Sequence, residues 1–300
     1  MANLLDLIII GSGPAACTAA LYAARAGLTV ALYEKALFGG ALIETAHIAN
    51  FPGFDGPGQE LADRLKTQAE AAGAKFYYGE CTAIDKVSVP VDSQLSVTNS
   101  SFVVTIDGEK LFARTVLVAT GSRYRQLDFT LEKPISYCAL CDGPLYKDKR
   151  ILVIGGGNSA VGEAAHLASI AKSVILVNRS PLRAESALIK KLESFPNIEI
   201  HTSIDINPNS QPFAKYLTAS DGVFVFIGKQ PAADFLPSHT PSGEPLKDTE
   251  GYILTDSAQM TALSGLFAAG DVRSGALRQA VTAAAEGAIA AVHITSFLKN

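Results

Sequence analysis

Cys138 and Cys141 are the side chains best suited to chemistry here, two thiols set two residues apart in Cys138-Ala139-Leu140-Cys141-Asp142. At a helix start such a pair can close into a disulfide, and the helix dipole with partial exposure favours one sulfur as thiolate. Exchange with another disulfide then proceeds by thiolate attack through a mixed disulfide. Asp142 follows directly, in position to move a proton during reduction. A structural zinc site would want four ligands, but the chain has one Cys-x-x-Cys pair and no ligand spacing among its five histidines. A redox pair is the expectation, with no metal.

The elements that must position this pair are two glycine-rich loops on either side of it. Gly11-Ser12-Gly13-Pro14-Ala15-Ala16 follows the apolar run 7–10, and Gly155-Gly156-Gly157-Asn158-Ser159-Ala160 follows the run 151–154. A second strand is expected after each helix, at 28–33 and at 174–177. Strand, tight turn, helix and strand thus occur twice, as two βαβ starts on parallel sheets. Gly11 allows the turn, Gly13 lets the backbone approach a pyrophosphate, and the small Ala16 lets helix and strand pack closely. The helix N-terminus offers free N–H groups and a positive dipole end to phosphates. Glu34 stands about 20 residues on, at the end of the next strand, where an acid binds ribose hydroxyls.

In the second unit Gly157, Asn158, Ser159 and Ala160 keep the pyrophosphate cradle, with Ser159 expected to cap the helix. No acid ends the following strand in Val177-Asn178-Arg179-Ser180-Pro181-Leu182-Arg183, which argues against NAD. Arg179 and Arg183 are suited to a 2′-phosphate, which argues for NADP.

Between the loops, 75–118 alternates polar and apolar residues, broken by Pro90, Asn99 and Asp107-Gly108, as an antiparallel meander would. Buried strands are expected at 116–118, 223–227 and 266–269, and a small-residue helix from Gln279 to about Phe297. The economical layout is α/β, with two Rossmann-like domains and the second inserted in the first: 1–121 with 232–300, and 122–231, with hinges near Gly121 and Pro231.

Bulk composition limits the function classes. With 300 residues, 48% hydrophobic and 18% charged, the chain can build two globular cores. A net charge of −4 supplies no basic field for nucleic acid. No run approaches the roughly 18 apolar residues of a membrane span. The apolar start carries Asp6 and breaks at Gly-Ser-Gly-Pro, unlike a signal peptide, so a cytoplasmic chain is expected. Cys17 and Cys81 are isolated and read as small core residues.

These motifs, taken in order, resemble the low-molecular-weight thioredoxin reductases, two-dinucleotide-domain flavoproteins. The match rests on Gly-Ser-Gly-Pro-Ala at Gly11, Gly39-Gly40, Asn50-Phe51-Pro52-Gly53 and Ala119-Thr120-Gly121. It continues through the Cys138–Gly143 segment and Ala268-Ala269-Gly270-Asp271 to Arg278-Gln279-Ala280. The resemblance implies FAD in the first domain. It places Glu34 on ribose, Asp271 by the ribityl-phosphate arm, and Asn50 with Arg278, Gln279 and Ala280 near the flavin ring. Pro14, Ala15, Lys35, Gly40, Ala41, Leu42, Ala119, Thr120, Gly121 and Gly270 line the same site. It further implies that Cys141 faces the flavin, that Cys138 attacks the disulfide of a thioredoxin-like partner, that the second domain rotates, and that the chain is a homodimer.

Several residues depart from the family pattern. Its His-Arg-Arg reads Asn178-Arg179-Ser180, its Gly-His-x-Pro-Asn reads Gly228-Lys229-Gln230-Pro231-Ala232, and its Gln after Gly-Gly is Ala41. The stretch from Gly121 to Cys138 is short and lacks Gly-Arg-Gly. The stretch 202–221 leaves little room for the usual β-hairpins, and Pro144-Leu145 replaces an aromatic pair. NADPH is the expected donor, with ferredoxin or a further flavin as alternatives. Flavin reductases of the ferredoxin–NADP reductase kind lack the Cys pair. A non-catalytic redox-sensing flavoprotein is the remaining reading.

Overall fold

The structure is a computed structural model that describes residues 4–43, 45, 47–87 and 101–299. It divides into two compact units, Met1–Arg123 with Gln230–Asn300, and Tyr124–Lys229.

The first unit opens with β1 (Leu5–Ile10), whose last four residues are at most 4% exposed. A strand so apolar needs cover on both faces, which parallel neighbours and flanking helices supply. Helix α1 (Pro14–Arg25) follows Gly13 directly, its proline in the first turn where the missing N–H costs nothing. Next come β2 (Val30–Glu34), the hairpin of β3 (Ile48–Phe51) and β4 (Phe54–Gly56), helix α2 (Gly58–Ala71) and β5 (Lys75–Tyr78). Then β6 (Cys81–Val87), β7 (Ser101–Ile106) and β8 (Glu109–Val118) form an antiparallel meander, and β9 (Ser122–Tyr124) leaves the unit. The expected meander therefore begins later than Lys75. Residues 75–78 pair in parallel with β2 instead, because one partly exposed edge strand satisfies the same alternation as a meander strand. Pro90 and Asn99, expected as breaks, lie outside the described residues.

In the second unit β10 (Ile135–Ser136) precedes the one-turn helix α3 (Ala139–Asp142). After it come β11 (Arg150–Ile154), α4 (Asn158–Ala168), β12 (Ser173–Val177), α5 (Ser186–Glu193), β13 (Ile198–His201), α6 (Gln211–Ala219) and β14 (Gly222–Val225). These five strands form one parallel sheet in the order β10-β14-β11-β12-β13. Helix α6 is the crossover from β13 to β14, so the short segment carries a helix, with Phe213 fully buried against the sheet. The chain returns through β15 (Lys229–Pro231), which pairs with β9. In the first unit β16 (Leu266–Ala268) then joins β8, and helix α7 (Ala280–Lys299) closes the chain.

Register sets up the site. In the first sheet Ile10 lies beside Tyr33 and Val118, and Val118 beside Ala268. The strands end together, so Gly11, Glu34, Ala119 and Gly270 emerge at one sheet edge. Helix α7 is long and apolar enough to cross a membrane, but here Ala283, Ala290, Ala291 and Ile294 sit in a core shared with α1. The close approach of α1 and α7 depends on Gly287, where a Cβ would run into the Ala15 carbonyl. Gly287→Val is expected to destabilise the first unit by about 2 kcal/mol through overpacking, read as a lower thermal midpoint of the unit's unfolding.

Candidate active site

The first glycine loop is shaped for a ligand that brings its own atoms. Gly11 has φ 102°, and a Cβ there would strike the Ala119 carbonyl, so strand β8 and the turn meet as bare backbone. A Cβ on Gly13 would meet nothing within 4 Å, so the space above the start of α1 is open. No side chain caps α1, which leaves its first N–H groups, among them those of Ala15 and Ala16, without a side-chain partner.

Glu34 ends β2 at the rim of this opening, half-buried, and two groups hold its carboxylate. Ser12 donates its hydroxyl at 2.7 Å, and the Ala36 N–H donates at 3.0 Å. Ser12, only 1% exposed, also accepts the Gly39 N–H at 3.0 Å, and so ties the 39–42 segment to the loop. Lys35 points away, to Glu80 at 3.0 Å. Gly40, with φ 57°, lies against Gly13, a Cβ there being 3.2 Å from the Gly13 Cα; Ala41 and the buried Leu42 continue the turn.

On the far side, Gly270 donates its N–H to Glu286 at 2.7 Å, and Glu286 is paired with Arg273 at 3.0 Å. This pair is only about 15% exposed and sets the turn that carries Asp271. Arg278 adopts φ 63°, a left-handed conformation unfavourable for a long side chain. Its guanidinium stacks over Tyr252 at 4.6 Å, and its buried Nε has no hydrogen-bond partner among the described residues. Backbone strain with an unpaired buried donor marks a place prepared for a ligand. Beside it Gln279 accepts from Asn50 Nδ2 at 3.1 Å, linking the β3–β4 hairpin to the start of α7 at Ala280. The hairpin loop, residues 49–55, lines an open cavity of about 590 Å³. Thr120, within the Ala119–Gly121 turn, donates to the Ala232 carbonyl at 2.6 Å and fastens the point where the chain leaves this unit.

The second loop repeats the backbone logic. Gly155 has φ 144°, where a Cβ would strike the Phe226 carbonyl, and a Cβ on Gly157 would meet nothing within 4 Å. Helix α4 starts after Gly157 without a side-chain cap. Ser159 thus lies inside the first turn and does not cap the helix, because the glycine loop places the N-cap two residues earlier. Ala160 is fully buried. Asn158 is engaged with Glu185, accepting its N–H at 2.8 Å and donating to its carboxylate at 3.1 Å. Asn178 is buried over Gly156 and donates to the Ser180 carbonyl at 2.7 Å. Arg183 donates its backbone N–H to the Gly156 carbonyl at 2.7 Å. These bonds pin the 178–185 loop to the glycine loop. Arg179 and Arg183 are exposed, and neither guanidinium has an ion pair among the described residues. Glu163, further along α4, has its carboxyl pushed up by burial, against the opposing charges of His166 and Lys229.

Cys138 and Cys141 are joined in a disulfide with Cα atoms 5.3 Å apart. Cys138 is the extended N-cap of α3, and its sulfur accepts the Cys141 N–H at 3.2 Å. A thiolate at Cys138 would keep that bond on reduction. Leu140 and Leu145 flank the pair with 47% and 66% exposure. Sequence reasoning missed Ser12, Ser136, Tyr252 and the Arg273–Glu286 pair. Only Ser12 carried a sequence signal, as a polar residue inside the first glycine loop.

An α/β chain with two glycine-loop nucleotide cradles and one redox disulfide defines a nucleotide-linked disulfide oxidoreductase. Residues 5–287 match the family described as Pyridine nucleotide-disulphide oxidoreductase. The chain is 32% identical to a thioredoxin reductase of Listeria innocua over 99% of its own length and 95% of that protein. It is 34% identical to one of Treponema pallidum, covering 98% and 97%. The crystal structure of thioredoxin reductase from Streptococcus pyogenes superposes with a TM-score of 0.84 at 33% identity, covering 100% and 99% of the two chains. The chain belongs to the pyridine nucleotide-disulphide oxidoreductase family, as an oxidoreductase of the low-molecular-weight thioredoxin reductase type.

Burial pushes the remaining thiols, Cys17 and Cys81, up to about 12. Both therefore stay protonated at pH 8. After reduction, iodoacetamide at that pH is expected to modify Cys138 and Cys141 and spare Cys17 and Cys81, as peptide mass mapping would show.

Proposed function

We propose that the protein passes electrons from NADPH through FAD and the Cys138–Cys141 pair to the disulfide of a thioredoxin-like protein. The carrying observation is Arg278, strained and with a buried Nε that has no partner among the described residues, at the edge of the first cradle. The open α1 N-terminus would take the FAD pyrophosphate, Glu34 a ribose, and the Asp271 turn the ribityl-phosphate arm. Arg278, Gln279, Ala280 and Asn50 would approach the flavin ring. We read 1–121 with 232–300 as the FAD domain, and 122–231 as the domain of the dithiol and the second nucleotide.

NADPH fits the second cradle. The uncapped α4 N-terminus, with Gly157, Asn158, Ser159 and Ala160, would hold its pyrophosphate through backbone N–H groups. Arg179 and Arg183, exposed without ion pairs, would hold the 2′-phosphate. Asn178, which departs from the family pattern, serves the loop's own turn and leaves both arginines available.

Bound FAD would supply two-electron transfer between the pyridine nucleotide and the disulfide. The protein's own part lies at the sulfurs. Cys138, whose sulfur is held by the Cys141 N–H, attacks the partner disulfide, and Cys141 resolves the mixed disulfide. Asp142 carries a proton between the pair and the leaving thiolate. Leu140 and Leu145 offer the partner an apolar contact, Leu145 with Pro144 standing where the family has an aromatic pair. The single disulfide and two reduced, buried cysteines suit a cytoplasmic enzyme.

Anaerobic titration of the purified protein with NADPH tests this reading. Bleaching of the flavin band at low micromolar NADPH is expected. Arg179→Ala or Arg183→Ala should each raise the NADPH concentration required about tenfold, with little change for NADH. A protein without flavin would overturn the reading. Bleaching by dithionite but by neither nucleotide would replace NADPH with a donor such as ferredoxin or a further flavin.

A homodimer is part of the same proposal. Val281, Ile289 and Val292 are exposed along one face of α7, and such a stripe favours an apolar partner surface. Sedimentation is expected to give twice the chain mass, and Ile289→Asp to shift it toward the monomer.

A further inference from the structure

We propose that Ser136 is a positioning residue for the dithiol exchange, holding one oxygen of Asp142 so that the other carries the proton. This rests on the reading of Asp142 as the proton carrier given above.

Ser136 ends β10, two residues before Cys138, and is only 4% exposed. Its hydroxyl accepts the Cys138 N–H at 3.2 Å. The one hydroxyl proton then has two acceptors in reach, Asp142 Oδ2 at 2.7 Å and the Cys138 carbonyl at 3.4 Å. The shorter bond, to a carboxylate, is the stronger. The Cys138 carbonyl has another donor in any case, the Asp142 N–H at 3.0 Å. Ser136, Cys138 and Asp142 therefore close a ring of three hydrogen bonds around the start of α3. In that ring Oδ2 is committed as an acceptor, and Oδ1 is the oxygen left to take up and release a proton.

The orientation matters because exchange moves protons as well as electrons. The Cys138 thiolate attacks one sulfur of the partner, forming a mixed disulfide and releasing one partner thiolate. The Cys141 thiolate then attacks Cys138 Sγ, closing the Cys138–Cys141 bond and releasing the second partner thiolate. The pair loses two electrons, the partner gains them, and the two thiol protons end on the partner. Asp142 Oδ1 takes a proton from the pair and hands it to a leaving thiolate. With Oδ2 anchored, the carboxylate keeps one face toward that exchange and does not rotate between two equivalent positions.

The test uses the FAD-loaded protein, reduced with dithionite without air and mixed with 2-hydroxyethyl disulfide, following the return of flavin absorbance. Ser136→Ala is expected to lower the limiting rate about tenfold, the scale of one hydrogen bond to a charged group, with the half-saturating disulfide concentration unchanged. Ser136→Thr keeps the hydroxyl and is expected to recover most of the rate. In a double-mutant cycle, Ser136→Ala added to Asp142→Asn should cost nothing beyond Asp142→Asn alone.

Full flavin content, with a wild-type circular-dichroism spectrum and melting curve, shows that both units of each variant have folded. A wild-type rate for Ser136→Ala, or losses that multiply in the double variant, would overturn the proposal while leaving Asp142 its role. A wild-type rate for Asp142→Asn would remove the role of Asp142, and the proposal with it.

Discussion

Both nucleotide cradles depend on one steric constraint, the exclusion of a Cβ atom where strand turns into helix. At Gly11 the missing side chain lets the turn lie against the Ala119 carbonyl, and at Gly155 against that of Phe226. Each contact brings the end of the first strand beside the end of another parallel strand in the same sheet, β8 in one unit and β14 in the other. The remaining geometry follows from that alignment. Helix α1 or α4 must start at the sheet edge, so its free N–H groups point into the opening. Residues at the ends of neighbouring strands, Glu34 and Asn178, are delivered to the same rim.

Polar side chains then hold what the backbone has aimed. Ser12 bonds Glu34 and Gly39 together, and the buried Arg273–Glu286 pair fixes the turn at Gly270. At the dithiol, Ser136 does the corresponding work for Asp142. In each case a small or paired buried group orients an acid that a ligand or thiol would meet. A buried hydroxyl with both its bonds made is rigid, because leaving either partner unpaired would cost about 1–3 kcal/mol.

The glycine loops, the Cys pair, Glu34 and the parallel strands were legible in the sequence because each depends on residue type over a few neighbouring positions. The edges of the elements were less so. Residues 75–78 alternate as a meander strand does, and only the pairing with β2 reveals a parallel edge. Ser159 is a good capping residue in the wrong register, since Gly157 already occupies the N-cap. The left-handed Arg278 and its stack on Tyr252 could not be read at all, because they join positions whose approach is fixed by tertiary packing. Helix α6 is a similar case: a segment too short for hairpins still had to bury an apolar face, and Phe213 shows which face that is.

Leaving α1 and α4 with glycine N-caps and no side-chain cap runs slightly against helix stability, by about a few tenths of a kcal/mol each relative to a Ser, Thr, Asp or Asn cap. Gly13 and Gly157 nevertheless stand at both N-caps, and a Cβ on either would meet nothing within 4 Å among the described residues. A side chain able to cap would fill the volume that a pyrophosphate needs and would compete for the same N–H groups. The cost is recovered only when a phosphate binds, so each unit should gain stability from its nucleotide by simple linkage. Arg278 obeys the same rule at the other rim, its strain and unpaired Nε making sense only with a ligand in place. The fold therefore concentrates its local instabilities where the cofactors enter and keeps the strand ends beneath them, in β1 and β11, apolar and buried.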